Sequence, residues 1–404
     1  MHFIKSFIVL WVVLSLSCAV CAQNGTSSPS SRFGYGEKAD ELPTLFHSMG
    51  GVSAGMRTNR AINPSQPASY TACDSTSFMF DVAAGLMWTR YEDAQGMRNK
   101  ANANLEYVFM QFPIWKQHIA LSAGVMPYSS MGYDFALSGK AGAHEYKVTY
   151  AGEGGIAQIY GGLSFNICDW VALGANLYYM FGTINNSTLL SFTESTLTAS
   201  QMYKQLTVNS FRFRYGMQVF HTFAQKHAVV LGATFENKRK LNAHYLQYEL
   251  STVDSVFESD NNFQLPMFFS VGGSYTYNER LTVALDYSHY YTSNVRYFET
   301  GVLKDRSKMA LGMEYRHNPM GRNYAERMYW RVGAALIDSY TRTTDKPDFT
   351  VSIGMGFPLR TTLSMVNIGL EYQRRNSMTN ISENCLKMIV DITVNENWFF
   401  KRRL

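Results

Sequence analysis

The chain has 404 residues, of which 17% are charged and 14% aromatic, with 26 Tyr and 26 Phe. That charge content lies well below the ~25% of an ordinary soluble domain, and a net charge of +5, falling to +4 once Lys5 leaves with the leader, is too small to point to nucleic acid. A composition so aromatic and so sparsely charged suits a sheet with one apolar and one polar face.

The first residues read as a signal peptide over 1–22. Lys5 gives a positive start, Phe7 to Leu16 is an apolar core, and Val20-Cys21-Ala22 offers small residues for cleavage before Gln23. The apolar run is short of the ~20 residues that a spanning helix needs, and no later stretch reaches 18. The mature chain is therefore expected to leave the cytoplasm and to hold no transmembrane helix. Cys73, Cys168 and Cys385 remain after cleavage, odd in number and widely spaced, so they read as isolated thiols with no disulfide framework and no metal spacing.

Residues 23–76 carry no strand periodicity. The part from Arg32 to Tyr70 strings together glycines and small residues, a polar stretch, and the prolines Pro64 and Pro67. We expect it to fold inward as a plug, ahead of a barrel over 77–404.

From Ser77 onward the period is two. In β-geometry successive side chains face opposite ways. Val171, Leu173, Ala175, Leu177, Tyr179 and Phe181 thus share one face, while Ala172, Gly174 and Asn176 share the other. The same division recurs in Leu281–Ser288, Lys308–Arg316, Thr350–Phe357 and Val366–Gln373. Each segment has the ~9–11 residues that cross a bilayer as a tilted strand, longer than the ~5–6 of a soluble sandwich. Fourteen such segments are centred near residues 83, 107, 122, 158, 175, 216, 233, 271, 286, 311, 333, 353, 369 and 388. The even count predicts an all-β, antiparallel transmembrane barrel closed on itself, because hydrocarbon leaves no unpaired amide a partner. Short connections, such as Asn166 to Asp169 and Tyr277 to Arg280, alternate with long polar ones at Ser129 to His144, Gly182 to Thr207 and Lys240 to Asn262. This is the usual contrast of periplasmic turns with outer loops, and it places both termini in the periplasm. Trp88, Tyr91, Tyr107, Tyr179, Tyr287, Trp330 and Trp398 are candidates for interfacial girdles.

The inward face carries charge at Asp286, Lys308, Glu314, Arg316, Arg331, Glu371, Lys387 and Asp391, residues that can bond the plug or pair with one another. No enzyme is expected, and no cofactor or metal. Asp286 and His289 are three apart and face opposite ways in a strand, His144 and Glu145 diverge, and no G-x-S-x-G, HExxH or paired-cysteine pattern occurs. Gly152, Gly154 and Gly155 sit in a strand pattern without a following helix, so bulges or close packing account for them better than a phosphate loop. Leu45, Phe46, Met49 and Phe263 are candidates for lining a greasy pocket, or for packing the plug against the wall. Pro127 cannot donate to a ladder, and with Ser129, Ser130 and Gly132 it predicts a break in strand pairing, a place where the wall can open sideways.

The Gly-Gly-Val-Ser-Ala-Gly segment at 50–55, then Asn63-Pro64, then a strand and FPIWKQHIALSAGVMPYSSMGYDF, resembles the FadL-type long-chain fatty acid transporters of the outer membrane. The C-terminal ENCLKMIVDITVNENWFFKRRL is similar to members from Bacteroidetes-like bacteria. The resemblance implies a monomeric, fourteen-stranded barrel in a Gram-negative outer membrane, with a lumenal hatch and lateral escape of hydrophobic small molecules at a kinked third strand. The hatch motif Asn-Pro-Ala falls on Asn63, Pro64 and Ser65, with Ser in the third place, and the kink on Met126 to Gly132. The expected function is passive uptake of fatty-acid-like molecules by hatch movement and lateral diffusion. The alternative is a surface-assembly or secretion-accessory barrel that binds a protein partner through its outer loops.

Overall fold

The computed structural model describes residues 25–397 apart from 94–95, 116, 143, 193–197, 252–254, 261–262, 298–302, 340–346, 360–363 and 379–380, so the predicted signal peptide and Trp398 lie outside the described residues. Strand β1 (Glu37–Lys38) belongs to the N-terminal segment. The wall begins with β2 (Ser77–Asp93), β3 (Gly96–Trp115), β4 (Ile119–Ala141), β5 (His144–Cys168), β6 (Val171–Phe192), β7 (Ser200–Phe223) and β8 (His227–Glu236). After β9 (Arg239–Leu241), β10 (Ala243–Leu250), β11 (Ser255–Asp260) and β12 (Phe263–Leu265), the wall resumes as β13 (Phe268–Tyr277), β14 (Leu281–Tyr290), β15 (Arg306–Arg316), β16 (Tyr329–Ile337), β17 (Asp348–Pro358), β18 (Met365–Met378) and β19 (Ile381–Asn397). Consecutive wall strands pair antiparallel and β19 pairs with β2, which closes a barrel of fourteen strands. Every predicted strand centre lies in one of them.

The two faces of the alternation separate as predicted. Gly174, Asn176 and Tyr178 of β6 are buried inside, while Leu177 and Tyr179 are exposed outside. Leu163, Phe165, Leu231, Leu285, Leu311, Ile353 and Leu370 continue an apolar outer surface. On β5 this surface runs from Ile159 to Ile167 and gives way to the exposed Glu153.

Two expectations need correction. The stretches read as long outer loops at Ser129–His144 and Gly182–Thr207 are largely strand: β4 to β7 have 23, 25, 22 and 24 residues, and Gly182 to Leu190 pairs rung for rung with Ser200 to Val208. Lys240–Asn262 likewise holds β10 and β11, with β10 extending the sheet on upper β7. Above the membrane band neither face meets lipid, so the one-sided apolar pattern that marks a strand there is absent. Of the girdle candidates, Trp88, Tyr179 and Trp330 do face outward, but Tyr91 and Tyr107 point inward. Tyr107 points inward with Phe109 and Gln111 on the same face of β3, and the extra residue Glu106 just above it, with Ala83 opposite Tyr107 and Ala84 opposite Leu105, turns Leu105 outward.

The N-terminal segment packs on inward-facing wall residues. It holds 3-10 turns at Pro29–Arg32 and Pro67–Ala72 and the one-turn helix α1 (Thr44–His47). Leu45, Phe46, Met49 and Val52 bury against Ala284, Ala310, Ala335 and Ile337. Close approach is possible because the wall is bare there. A Cβ on Gly232 would sit 1.8 Å from the Ala54 carbonyl oxygen, one on Gly333 2.1 Å from Gly50 N, and one on Gly174 2.4 Å from the Pro67 carbonyl carbon. Gly174 faces Gly216, and Gly312 faces Gly333, across adjacent strands. The small residues of the alternating pattern form a belt against which the segment's backbone lies.

Candidate functional site

Pairing of β3 with β4 runs only from Val108↔Val125 down to Trp115↔Ile119. Above that point β3 pairs with β2 alone, and β4 pairs with β5 and, at two residues, with β1 (Glu37↔Ser130, Lys38↔Ser129). The wall parts where β4 carries a bulge: Pro127 lies opposite Ala157 and Ser129 opposite Ile156, leaving Tyr128 as the extra residue. Proline explains the site, since it lacks the N–H that an unbroken ladder needs. Gly154 and Gly182 lie at the same level on β5 and β6 with φ of 105° and 148°, which lets the neighbouring strands bend with it.

A chamber of ≈ 800 Å³ lies behind this parting. Its inner wall is Glu37, Lys38, Asp40 and His47 with Glu106, Glu371, Arg375 and Lys387, while Leu105, Val125, Met126, Pro127, Ile156 and Phe181 form its side toward the parting. Leu105 and Val125 are also outward residues, so the chamber reaches the outer surface through the wall. Most of the inner charges are matched: Lys387 Nζ to Glu106 at 2.8 Å, His47 Nδ1 to Glu371 at 3.2 Å, Lys308 Nζ to Asp40 at 3.4 Å, and Arg375 to Glu37, while Lys38 lies over the Tyr290 ring. Serine residues cross the parting above the chamber. Asn104 Nδ2 donates to the Gly25 carbonyl at 2.7 Å, Gly132 N donates to Ser31 Oγ at 3.2 Å, and Ser28 Oγ donates to Glu383.

Of the predicted opening residues, then, Pro127, Ser129 and Ser130 lie at the parting, and Gly132 lies just above it under Ser31. The residues of the predicted hatch motif cluster elsewhere, deep in the lumen. Asn63 Nδ2 donates to the Ser53 carbonyl at 2.9 Å, and the Pro64 carbonyl accepts from Asn176 Nδ2 at 2.8 Å and Tyr178 Oη at 2.9 Å. Ser65, where the motif has Ala, donates Oγ to the Glu41 carbonyl at 2.7 Å.

Several of the predicted lumenal charges hold the segment, whereas Lys387 pairs with Glu106 of the wall. Asp286 Oδ2 accepts from the backbone N–H of Ala54 at 2.6 Å and of Ser53. Glu314 takes Arg60 Nη2 at 2.7 Å on one side and Arg331 Nε at 2.7 Å on the other. The chain of bonds continues from Arg331 through Asn367 and Asp391 to Tyr107, which accepts from Thr44 N at 3.0 Å. Arg316 stands apart at the inner rim, donating to Tyr329 and near Glu279. The predicted pocket residues Leu45, Phe46 and Met49 pack the segment to the wall, and Phe263 packs with Tyr245 and Tyr297. None of the four lines the chamber.

One cluster was missed in the sequence. Arg212 and Arg214, two apart and so on one face of β7, meet Glu41 of the segment and Glu236 of β8. Arg212 Nη1 lies 2.8 Å from Glu236 Oε1, Arg214 Nη1 lies 2.7 Å from Glu41 Oε2, and Gln158 Nε2 donates to Glu41 Oε1 at 3.0 Å. Burial would raise the Glu41 carboxyl, but the two guanidinium groups hold it well below the usual carboxylate range. Beside them Lys38 stands 3.4 Å above the Tyr290 ring, and burial pulls its ammonium down to about 7. The inward-facing repeat of arginines at i and i+2 was the available signal.

A family model described as BamG matches residues 3–404. Among curated proteins there is no match. The fold is similar to a crystal structure of the P. putida toluene transporter TodX, with TM-score 0.60 at 12% identity over 90% of this chain and 100% of that one. The Ralstonia pickettii toluene transporter TbuX gives 0.56 at 14% identity, covering 88% and 98%. A Pseudomonas aeruginosa FadL homologue gives 0.57 at 14% identity, covering 90% and 99%. These likenesses bear on the fold, and the barrel is FadL-like.

Proposed function

This chain belongs to the BamG family, and we propose that it is a Gram-negative outer-membrane barrel that passes fatty-acid-like hydrophobic small molecules sideways through the parting of β3 and β4. The observation that carries this reading is the chamber, whose lining reaches the outer surface through the wall at the β4 bulge. Its inner side is polar and its mouth apolar, which suits a single-chain amphiphile with its head inward and its tail toward lipid. A strand tilted at ~40° rises ~25 Å over ten residues, so a band starting at Ile119 reaches its outer edge near Ser129. The mouth then opens at the outer leaflet.

Residues 23–76 serve as the hatch in this reading, and 77–404 as the barrel. The buried ion pairs argue against wholesale expulsion of the hatch. Movement falls on its lightest attachment, the two-residue pairing of β1 with β4. The lumenal charges Asp286, Glu314, Arg331 and Glu371 keep the rest in place, while passage needs no cofactor and no catalytic group. Uptake of labelled oleate by cells making the protein should exceed that by cells lacking it. Equal rates would remove fatty acids as substrate.

A second reading is supported by the tall side of the barrel. With 22–25 residues each, β4 to β7 rise roughly 30 Å beyond a ~25 Å band. Such a wall presents a surface to a protein partner, as an accessory barrel for surface assembly or secretion would. Purification in mild detergent separates the two: a stoichiometric protein favours the accessory role, an acyl chain in the chamber the uptake role.

A further inference from the structure

We propose that the slot above the chamber mouth, between the upper halves of β3 and β4, receives an extended segment of a partner protein, which adds to the free edge of β4 as an antiparallel strand. The proposal rests on the second reading above and names where that partner binds.

Among the described residues, β4 from Asp134 to Lys140 pairs with β5 on one side and with no strand on the other, and β3 from Gly96 to Leu105 pairs only with β2. Alternate residues of each edge therefore turn their N–H and C=O into the slot, which is the arrangement that accepts another strand. The chain itself begins this pairing lower down. Strand β1 adds antiparallel to the same β4 edge at Ser129 and Ser130, and Ala39 N donates to the Tyr128 carbonyl at 2.9 Å. An incoming strand would continue an interface already started.

The edge is also poorly defended. Between Asp134 and Lys140 there is no proline and no bulge, Lys140 is engaged by Glu145 at 2.8 Å, and Leu137 is 54% exposed. Height decides the chemistry of the occupant. Fourteen residues above Ile119, the strand has risen ~35 Å, beyond a ~25 Å apolar band, so water and not acyl chain surrounds it. The Gly25–Ser31 crossing, tied to Asn104 and Gly132, separates this slot from the mouth beneath.

The test uses the full-length protein in the outer membrane of the cells that make it, with the photo-crosslinker benzoylphenylalanine placed at Ser138 on the free edge or at Leu311 on the outer surface of β15. The expected result is one discrete protein adduct from Ser138 and none from Leu311. Neighbouring residues of a strand point their N–H groups to opposite sides, so of Ala136→Pro and Leu137→Pro one removes a donor to β5 and the other a donor to the slot. The variant that keeps its folded, heat-modifiable barrel should lose the Ser138 adduct about tenfold, the scale of one backbone hydrogen bond. Leu137→Lys keeps every backbone bond, charges the edge, and should lower the adduct likewise. Adducts with lipid alone, the absence of a protein adduct, or an adduct undiminished in the folded proline variant and in Leu137→Lys would overturn the proposal. Oleate uptake measured on the same variants tells the two functions apart, since it is expected to stay unchanged.

Discussion

Replacing Glu41 by Ala is the sharpest perturbation of the docked N-terminal segment. In the native cluster two guanidinium groups face two carboxylates, and all four side chains are at least nine-tenths buried. Without Glu41, Arg212 and Arg214 share Glu236 alone, and one positive charge is left uncompensated. Breaking a buried pair by removing one partner costs ~3–5 kcal/mol, which at 1.4 kcal/mol per tenfold shifts the ratio of docked to undocked segment by roughly two to three and a half decades. The wall keeps its own ladder, so the loss falls on docking. Ion current in planar bilayers reads it: frequent openings are expected for Glu41→Ala, and a quiet baseline for the native protein. Glu41→Met combined with Arg214→Met removes one charge of each sign and should regain most of the closed time. Acid should act in the same direction. Because the Glu41 carboxyl is held below its unfolded value of 4.5, its contribution is fully present above that pH and is lost as pH falls beneath it. A baseline in Glu41→Ala as quiet as the native one, with unchanged barrel melting, would refute the reasoning.

Deleting Tyr128 makes Pro127 and Ser129 consecutive opposite Ala157 and Ile156, which removes the bulge without turning any side chain to the other face. Oleate uptake should fall several-fold while the heat-modifiable mobility of the barrel persists. Gly333→Val drives a side chain into Met49 and Gly50, and overpacking of ~1–3 kcal/mol should appear as faster proteolysis at Arg57 and Arg60, with the ladder intact by circular dichroism. Lys38 is depressed to about 7 in the folded chain against 10.5, so the native state sheds a proton there and stability rises with pH between those values. Glu41 and Glu236 attract this ammonium, Arg212 and Arg306 repel it, and Tyr128 and Tyr290 face it. Lys38→Met should flatten that slope in thermal unfolding followed from pH 6 to 10.

Where the barrel meets lipid, its strands were legible residue by residue, because hydrocarbon on one side imposes a two-residue period that chance rarely sustains. The same physics explains what was hidden. Above the band neither face of β6 and β7 meets lipid, and although Ile184 and Leu206 are buried inside, a run such as Thr183–Leu190 carries no apolar outer face to read. Bulges are hidden for another reason: Glu106 and Tyr128 are extra only relative to a partner strand, and the count appears once the register is known. The cluster at Arg212 joins residues 171 apart in sequence. Asn63 and Pro64 could be singled out because a family motif falls on them, yet what Ser65 does there, bonding the Glu41 carbonyl, needed the fold. Within residues 23–76 the serine-rich stretch at Gly25–Ser31 carries no signal of its own, since polar side chains that tie down a backbone look the same as those that merely dissolve it.

The bare glycine belt has a consequence for how such a molecule is made. The N-terminal segment is synthesised first, but the hoop that surrounds it closes only when β2 meets β19. A backbone that lies against Gly174, Gly232 and Gly333 with no room for one added carbon finds its seat most easily while the sheet is still open. The segment then acts as a mandrel on which the strands curl, and a side chain added at any of the three glycines burdens assembly as well as docking.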